Sequence, residues 1–300
     1  MYQQFFGLRE QPFALTPNTD FMVNLSSHQE CMNLLQVALS QGEGFVKIVG
    51  EVGTGKTLIC RQLMKELDSQ GFVVAYLPSP ELNGRELLMA LAKELGLNNL
   101  KLDNPHDLRE RIFYRLIELA RGNQRVVLLV DEAQSMGRDT LESLRLITNL
   151  ETEKRKLLQV VLFGQPELDE LLQGKEMRQL RQRITFSYRL MPIVQGNIGH
   201  YVNHRLTVAG YNGEGLFEPA ALKRIYRASS GIPRLVNILC NKSMMAAYGK
   251  GDRKIAVRHV SRAIKDTEEA VRQGTGILWL AGGVTLALAL LAGVLYRGML

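Results

Sequence analysis

Five short apolar runs punctuate the first two thirds of the chain: Phe45 to Val49, Phe72 to Leu77, Val126 to Val130, Leu158 to Phe163 and Thr185 to Leu190. Most are nearly continuous, as in strands covered on both faces, and lack the strict alternation of a strand with one wet side. Between them apolar residues fall at helical spacing. Leu58, Ile59, Leu63, Met64 and Leu67 mark one face after the first run. Leu87, Leu88, Leu91 and Leu95, then Ile112, Leu116, Ile117 and Leu119, lie between the second and third, and Leu141, Leu144, Ile147 and Leu150 follow the third. Strands alternating with helices predict right-handed crossovers and a mainly parallel sheet with helices on both faces.

After Pro192 the strand signal ends. One helix is predicted over Gly196 to Ala209. A second starts at Pro219, a residue suited to the first helical position, and stops at Ser229-Ser230-Gly231. A third follows Pro233 with Leu235, Ile238 and Leu239, and a fourth runs from Val257 through Val260, Ala263 and Ile264. The expected organisation is an α/β domain over residues 1–191 and a small all-α domain over 192–272. Residues Ile277 to Tyr296 then carry no charge. At the helical rise this stretch covers ~30 Å, the hydrocarbon thickness of a bilayer, so one C-terminal transmembrane helix is predicted over 277–296. Trp279 and Tyr296 stand near its ends, where amphipathic rings favour the interface. Arg258, Arg262, Lys265 and Arg272 precede the segment and only Arg297 follows it. The positive-inside rule therefore predicts a cytoplasmic N-terminal part and a short tail, 297–300, on the other side.

Composition sharpens this picture in two places. Cys31, Cys60 and Cys240 are odd in number and lack metal-ligand spacing, which points to reduced thiols in a cytoplasm. The formal charge of +7 raises the question of nucleic acid. Basic residues are nevertheless scattered among acidic ones, as in Glu151-Thr152-Glu153-Lys154-Arg155-Lys156, and the densest excess precedes the uncharged segment. A membrane is thus the expected partner and nucleic acid is not.

The chemistry is concentrated in one loop. Gly50-Glu51-Val52-Gly53-Thr54-Gly55-Lys56-Thr57, with Leu58 after it, joins the first apolar run to a helical segment. That is a complete P-loop in its required context, so a P-loop NTPase fold is expected. The glycines let successive N–H groups face a nucleotide's phosphates at a helix N-terminus. Lys56 is placed to reach the β- and γ-phosphates, and the Thr57 hydroxyl to ligate Mg²⁺. The third run is followed by Asp131-Glu132. Asp131 is expected to hold Mg²⁺ directly or through water, and Glu132 to orient and deprotonate an attacking water. ATP and Mg²⁺ are the expected cofactors. Gln165, after the fourth run, reads either as a γ-phosphate sensor, a water-positioning group or a polar turn residue. Arg234 stands at the first turn of a predicted helix, suited to a phosphate contact. Arg178, Arg181 and Arg183 cluster before the fifth run, where an arginine offered to a neighbouring subunit's γ-phosphate acts as a finger.

These motifs resemble Walker A, Walker B, sensor 1, arginine-finger and sensor 2 of AAA+ ATPases, with Arg183 favoured over Arg181 as finger. The segments FFGLREQPFALTPNTDFM, LRLITNLETEKRKLLQVVLFGQPEL, LRQRITFSYRLMPI and YVNHRLTVAG are similar, more narrowly, to the ExeA/GspA group of secretion ATPases. The resemblance implies a homo-oligomeric ATPase anchored by a single pass in the bacterial inner membrane. It would work with inner-membrane proteins of a type IV pilus or a secretion apparatus. It also implies that the N-terminal segment, residues 1–25, lies on the adenine side and that the helical domain is a lid. Gln165 departs from the Asn, Thr or Ser common at sensor 1. The group's periplasmic peptidoglycan-binding domain is not among these 300 residues. Two other functions share the same core pattern: a DNA-transaction ATPase resembling transposition helpers, and a nucleotide-dependent scaffold with negligible turnover.

Overall fold

The computed structural model describes residues 2–78, 81–98, 104–151, 156–268 and 270. The expected transmembrane segment 277–296 and tail 297–300 lie outside these residues. Among the described residues no helix is long and apolar enough to cross a membrane.

In chain order, a single turn α1 (Tyr2–Phe5) precedes α2 (Ser26–Ser40), β1 (Phe45–Gly50), α3 (Lys56–Ser69) and β2 (Val73–Leu77). Then come α4 (Gly84–Glu94), α5 (Pro105–Arg121), β3 (Val126–Val130), α6 (Arg138–Ile147) and β4 (Leu158–Gly164). The helices α7 (Glu167–Gln173) and α8 (Arg178–Arg181) lead into β5 (Ile184–Leu190), and α9 (Ile198–Val208), α10 (Pro219–Ser229), α11 (Pro233–Tyr248) and α12 (Val257–Lys265) complete the set. The described residues divide into two compact units, one within 17–191 and the other comprising the described residues up to 16 with those from 192 onward.

The first unit is a five-stranded parallel sheet in the order β2-β3-β4-β1-β5. Its two faces are covered by different helices. On one face Ala75, Val126, Leu128, Val130, Val160 and Leu162 pack with apolar residues of α4, α5, α6, α7 and α8. On the other, Val46, Ile48, Val127, Leu129, Val161 and Phe163 pack with α2 and α3. The period-two alternation of β3 thus feeds two cores at once, which is why its five residues read as one apolar run. Helix starts follow local rules. Asn83 and Glu86 form a reciprocal capping box on α4, and the Asn104 side chain accepts the His106 and Asp107 N–H groups at the start of α5.

The regular elements of the second unit are all helices among its described residues, with one isolated parallel bridge between Phe217 and Ile255. The first sixteen residues belong here, so the N-terminal segment expected wholly within the α/β domain divides at Thr16 and Pro17. The reason lies in buried Arg205 on α9. Its Nε donates to the Pro12 carbonyl at 2.7 Å and an Nη to the Ala14 carbonyl at 3.4 Å. Arg9 N–H also bonds the Ala209 carbonyl at 2.8 Å, and Phe13 meets Phe217 edge-on. A guanidinium that would otherwise lose its water is satisfied by carbonyls of the N-terminal strap.

Between α10 and α11, Ser230 and Gly231 both take positive φ, 49° and 75°. A Cβ at position 231 would stand 2.0 Å from the Ile193 carbonyl oxygen, whose residue donates its own N–H to the Gly231 carbonyl at 2.9 Å. Gly231→Ala must therefore displace backbone and lose that bond. We expect a loss of more than about 1 kcal/mol, measured by urea unfolding. Unchanged stability would show that this junction yields freely.

Candidate functional site

The P-loop follows from what surrounds it. β1 is buried along nearly its whole length and must turn sharply at its carboxyl end. Gly53 and Gly55 take φ values of 79° and 104°, open to glycine without strain. Gly50 is needed for closeness, since a Cβ there would lie 2.8 Å from Thr54 Oγ1 and 3.0 Å from the Leu190 carbonyl. Thr54 is fully buried, and its hydroxyl donates to the Glu51 carbonyl at 2.8 Å, pinning the loop from inside. Glu51 and Val52 are exposed at the crest, with Glu51 3.6 Å from Arg189. α3 begins at Lys56, so the loop delivers Thr57 and Leu58 into the first helical turn.

Lys56 is only 5% exposed, and its ammonium donates to the carbonyls of Gly50 at 2.7 Å and Glu51 at 3.0 Å. Burial lowers its pKa, against the fields of Glu132, Asp131, Glu51 and Glu167, which raise it. Asp131, 2% exposed at the end of β3, has its pKa raised by burial despite hydrogen bonds from the Thr57 side chain and the Glu132 N–H. The structure therefore brings Lys56 and Thr57, after β1, together with Asp131 and Glu132, after β3, at the carboxyl-terminal edge of the sheet, where β4 lies between the two strands. The Thr57 hydroxyl and a buried carboxylate short of positive charge are hard oxygen donors side by side, and they fit Mg²⁺.

Glu132 adopts φ 53° and ψ 38°, a left-handed backbone that costs a non-glycine residue about 1 kcal/mol or more. Its carboxylate accepts from Gln134 Nε2 at 2.6 Å and Gln165 Nε2 at 3.0 Å. Gln165 is thus beside Glu132. Arg181 and Arg183 are not: they stand at the α8–β5 junction, and β5 begins where Ile184 pairs with Phe45 at the start of β1. The six residues of β1, roughly 20 Å of strand, separate that edge from the P-loop. Arg234 is the exposed second residue of α11, in the helical unit.

Two residues near the loop were not singled out from sequence. Gln134 lies within the Walker B stretch but carries no motif role. His28, on α2, is 4% exposed and its Nε2 lies 3.3 Å from the Thr54 carbonyl. Burial lowers its pKa, keeping it a neutral donor under the loop. A lone histidine before the first strand gives no local signal of this contact.

The parallel sheet carries a P-loop after β1 and paired acids after β3, and residues 38–172 match the AAA domain family. Over 299 residues, 99% of its length, the chain is 42% identical to General secretion pathway protein A of Aeromonas hydrophila and covers 54% of it. It thus spans about half the length of that relative. Among solved structures, Cdc6p of Pyrobaculum aerophilum matches with a TM-score of 0.67 at 19% identity, over 85% of this chain and 70% of that one. The Aeropyrum pernix ORC2 protein, solved as ADPNP-ADP complexes, matches with a TM-score of 0.62 at 16% identity, over 83% of this chain and 71% of that one. These last two likenesses concern the fold alone.

Asp131 sets the sign of one pH effect. Its pKa in the folded chain lies above the ordinary value, so the fold holds an extra proton between the two values. That contribution to stability is present below the ordinary carboxylate pKa and is lost as pH rises through the raised one. Asp131→Asn should therefore stabilise the nucleotide-free protein at neutral pH and flatten this part of the profile. Thermal unfolding of both proteins across pH checks it; a less stable variant at pH 7 would contradict it.

Proposed function

We propose that the chain binds ATP with Mg²⁺ and hydrolyses it as a membrane-anchored, oligomeric AAA+ ATPase that supports assembly of a secretion apparatus or type IV pilus. The observation that carries the enzymatic part is the grouping of Lys56, Thr57, Asp131 and Glu132 at the carboxyl-terminal edge of the sheet. In this reading the N–H groups of residues 50–58 and Lys56 hold the triphosphate, and Thr57 and Asp131 hold the cation. The cation supplies charge neutralisation at the β- and γ-phosphates. Glu132 takes a proton from water as its oxygen attacks the γ-phosphorus and the bond to the β–γ bridging oxygen breaks, giving ADP and phosphate. Gln165 positions the water or senses the γ-phosphate, Arg234 contacts phosphate from the lid, and residues 1–25 lie on the adenine side.

An arginine at the amino-terminal edge of the sheet is roughly 20 Å of strand from its own P-loop. This supports action on a neighbouring subunit, with Arg183 first and Arg181 second. The cellular role rests on the likeness to General secretion pathway protein A. The narrower likeness, to the MshM protein of mannose-sensitive haemagglutinin pili, is carried by the segments quoted from the sequence. Anchoring in the bacterial inner membrane, with the ATPase in the cytoplasm, rests on the uncharged segment 277–296 and its basic flank. Release of the chain from membranes without detergent would remove the anchor and favour a DNA-transaction role, which salt-dependent DNA binding would then test.

Lys56→Ala should weaken nucleotide binding. Glu132→Gln should keep binding and lose turnover, read by phosphate release against fluorescent-nucleotide titration; undiminished turnover would remove Glu132 from the mechanism. Arg183→Ala subunits should bind ATP yet turn over slowly. Mixing them with Glu132→Gln subunits should restore part of the activity, because some interfaces then pair an intact Glu132 site with an intact Arg183 donor. Failure of rescue with variants of all three arginines, at a specific activity independent of concentration, would place hydrolysis within one subunit.

A further inference from the structure

We infer that Gln134 is a positioning residue for Glu132 and connects it to the turn between β4 and α7. The inference rests on the ATPase reading above and concerns how its base is held.

The hydrogen bonds around Gln134 have only one consistent direction. The Gln165 backbone N–H donates to Gln134 Oε1 at 2.9 Å, so that oxygen is occupied and the amide cannot usefully flip. Its NH₂ group then points to Glu132 and donates to Oε2 at 2.6 Å. The Gln165 side chain donates to the same oxygen at 3.0 Å. One carboxylate oxygen therefore receives two neutral amides, leaving Oε1 as the oxygen not engaged by either glutamine. Lys56 from α3 and Asp131 at the end of β3 both lie within the field of Glu132. The glutamines thus fix the carboxylate beside the lysine of the phosphate loop.

The backbone makes such support necessary. Glu132 sits in a left-handed conformation, with its N–H bonded to Asp131 and its carbonyl accepting from Ser135 N–H at 2.9 Å. The main chain sets where the Glu132 side chain leaves, whereas its remaining rotatable bonds are set by what meets the carboxylate. Gln134 stands two residues away in the 3-10 turn Ala133–Ser135, and Gln165 belongs to the segment that ends β4. A shift of the β4–α7 turn therefore moves the Gln165 N–H, and through Gln134 moves the base.

The test uses the full chain and steady-state ATP hydrolysis. Gln134→Met keeps length and packing but removes both amide functions. It should lower kcat by roughly 10²-fold, the scale of a small misplacement of a catalytic group, while KM and nucleotide affinity stay near those of the unaltered chain. In a Glu132→Gln background the same substitution should change nothing further. Gln134→Glu is the second variant, should the first fold poorly. It keeps an oxygen for the Gln165 N–H but when ionised has no donor for Glu132, so its kcat should also fall. Protonation of the introduced carboxyl restores a donor, so the loss should shrink toward acid pH relative to the unaltered chain. A merely structural role would not move that ratio. Unchanged or raised kcat in both variants overturns the inference while leaving the ATPase reading intact. No hydrolysis by the unaltered chain overturns the ATPase reading, and the inference with it.

Discussion

One ammonium and two carboxylates are confined together at the end of a parallel sheet. Lys56 and Asp131 are almost fully buried, and Glu132 lies beside them. Each charge is costly to remove from water, and burial is the largest influence on both Lys56 and Asp131. The cluster persists because the surrounding elements leave it no alternative. β1 and β3 are fixed by cores on both faces, and the loop between β1 and α3 is tied through Thr54. Fold stability elsewhere offsets the cost of burying these charges.

Sheet polarity explains which candidates meet and which do not. In a parallel sheet all carboxyl ends lie on one edge, so residues following β1, β3 and β4 converge although they are far apart in sequence. Gln165 reaches Glu132 for this reason. Residues preceding a strand are carried to the opposite edge, which is where Arg183 stands. The same geometry that groups Lys56, Asp131, Glu132 and Gln165 thus keeps the arginines before β5 at the far edge.

Much of this was legible in the sequence because its signals are local. Buried parallel strands read as apolar runs, prolines marked the first residues of α10 and α11, and the P-loop spacing identified the turn after β1. The strand order was not legible, since only pairing partners define it. The alliance of the first sixteen residues with the helical unit was also hidden: it depends on Arg205 and Pro12, separated by 193 residues, and no periodicity connects them. His28 escaped for the same reason, and Gln134 because its role lies in the direction of a side-chain amide.

The site therefore has parts of different stiffness, and the chemistry suits the division. The phosphate loop is held by short-range packing: Gly50 against Leu190, Thr54 against Glu51, and His28 beneath Thr54. Donors aimed at a fixed place lose least when they need not reorganise, and this loop has little freedom to do so. Glu132 is held differently, by two long side chains whose amides share one oxygen. Such a hold keeps direction yet can be released by moving a single turn. On the proposed reading, a rigid cradle with an adjustable base would bind nucleotide without obliging hydrolysis, and turnover would answer to what displaces the β4–α7 turn.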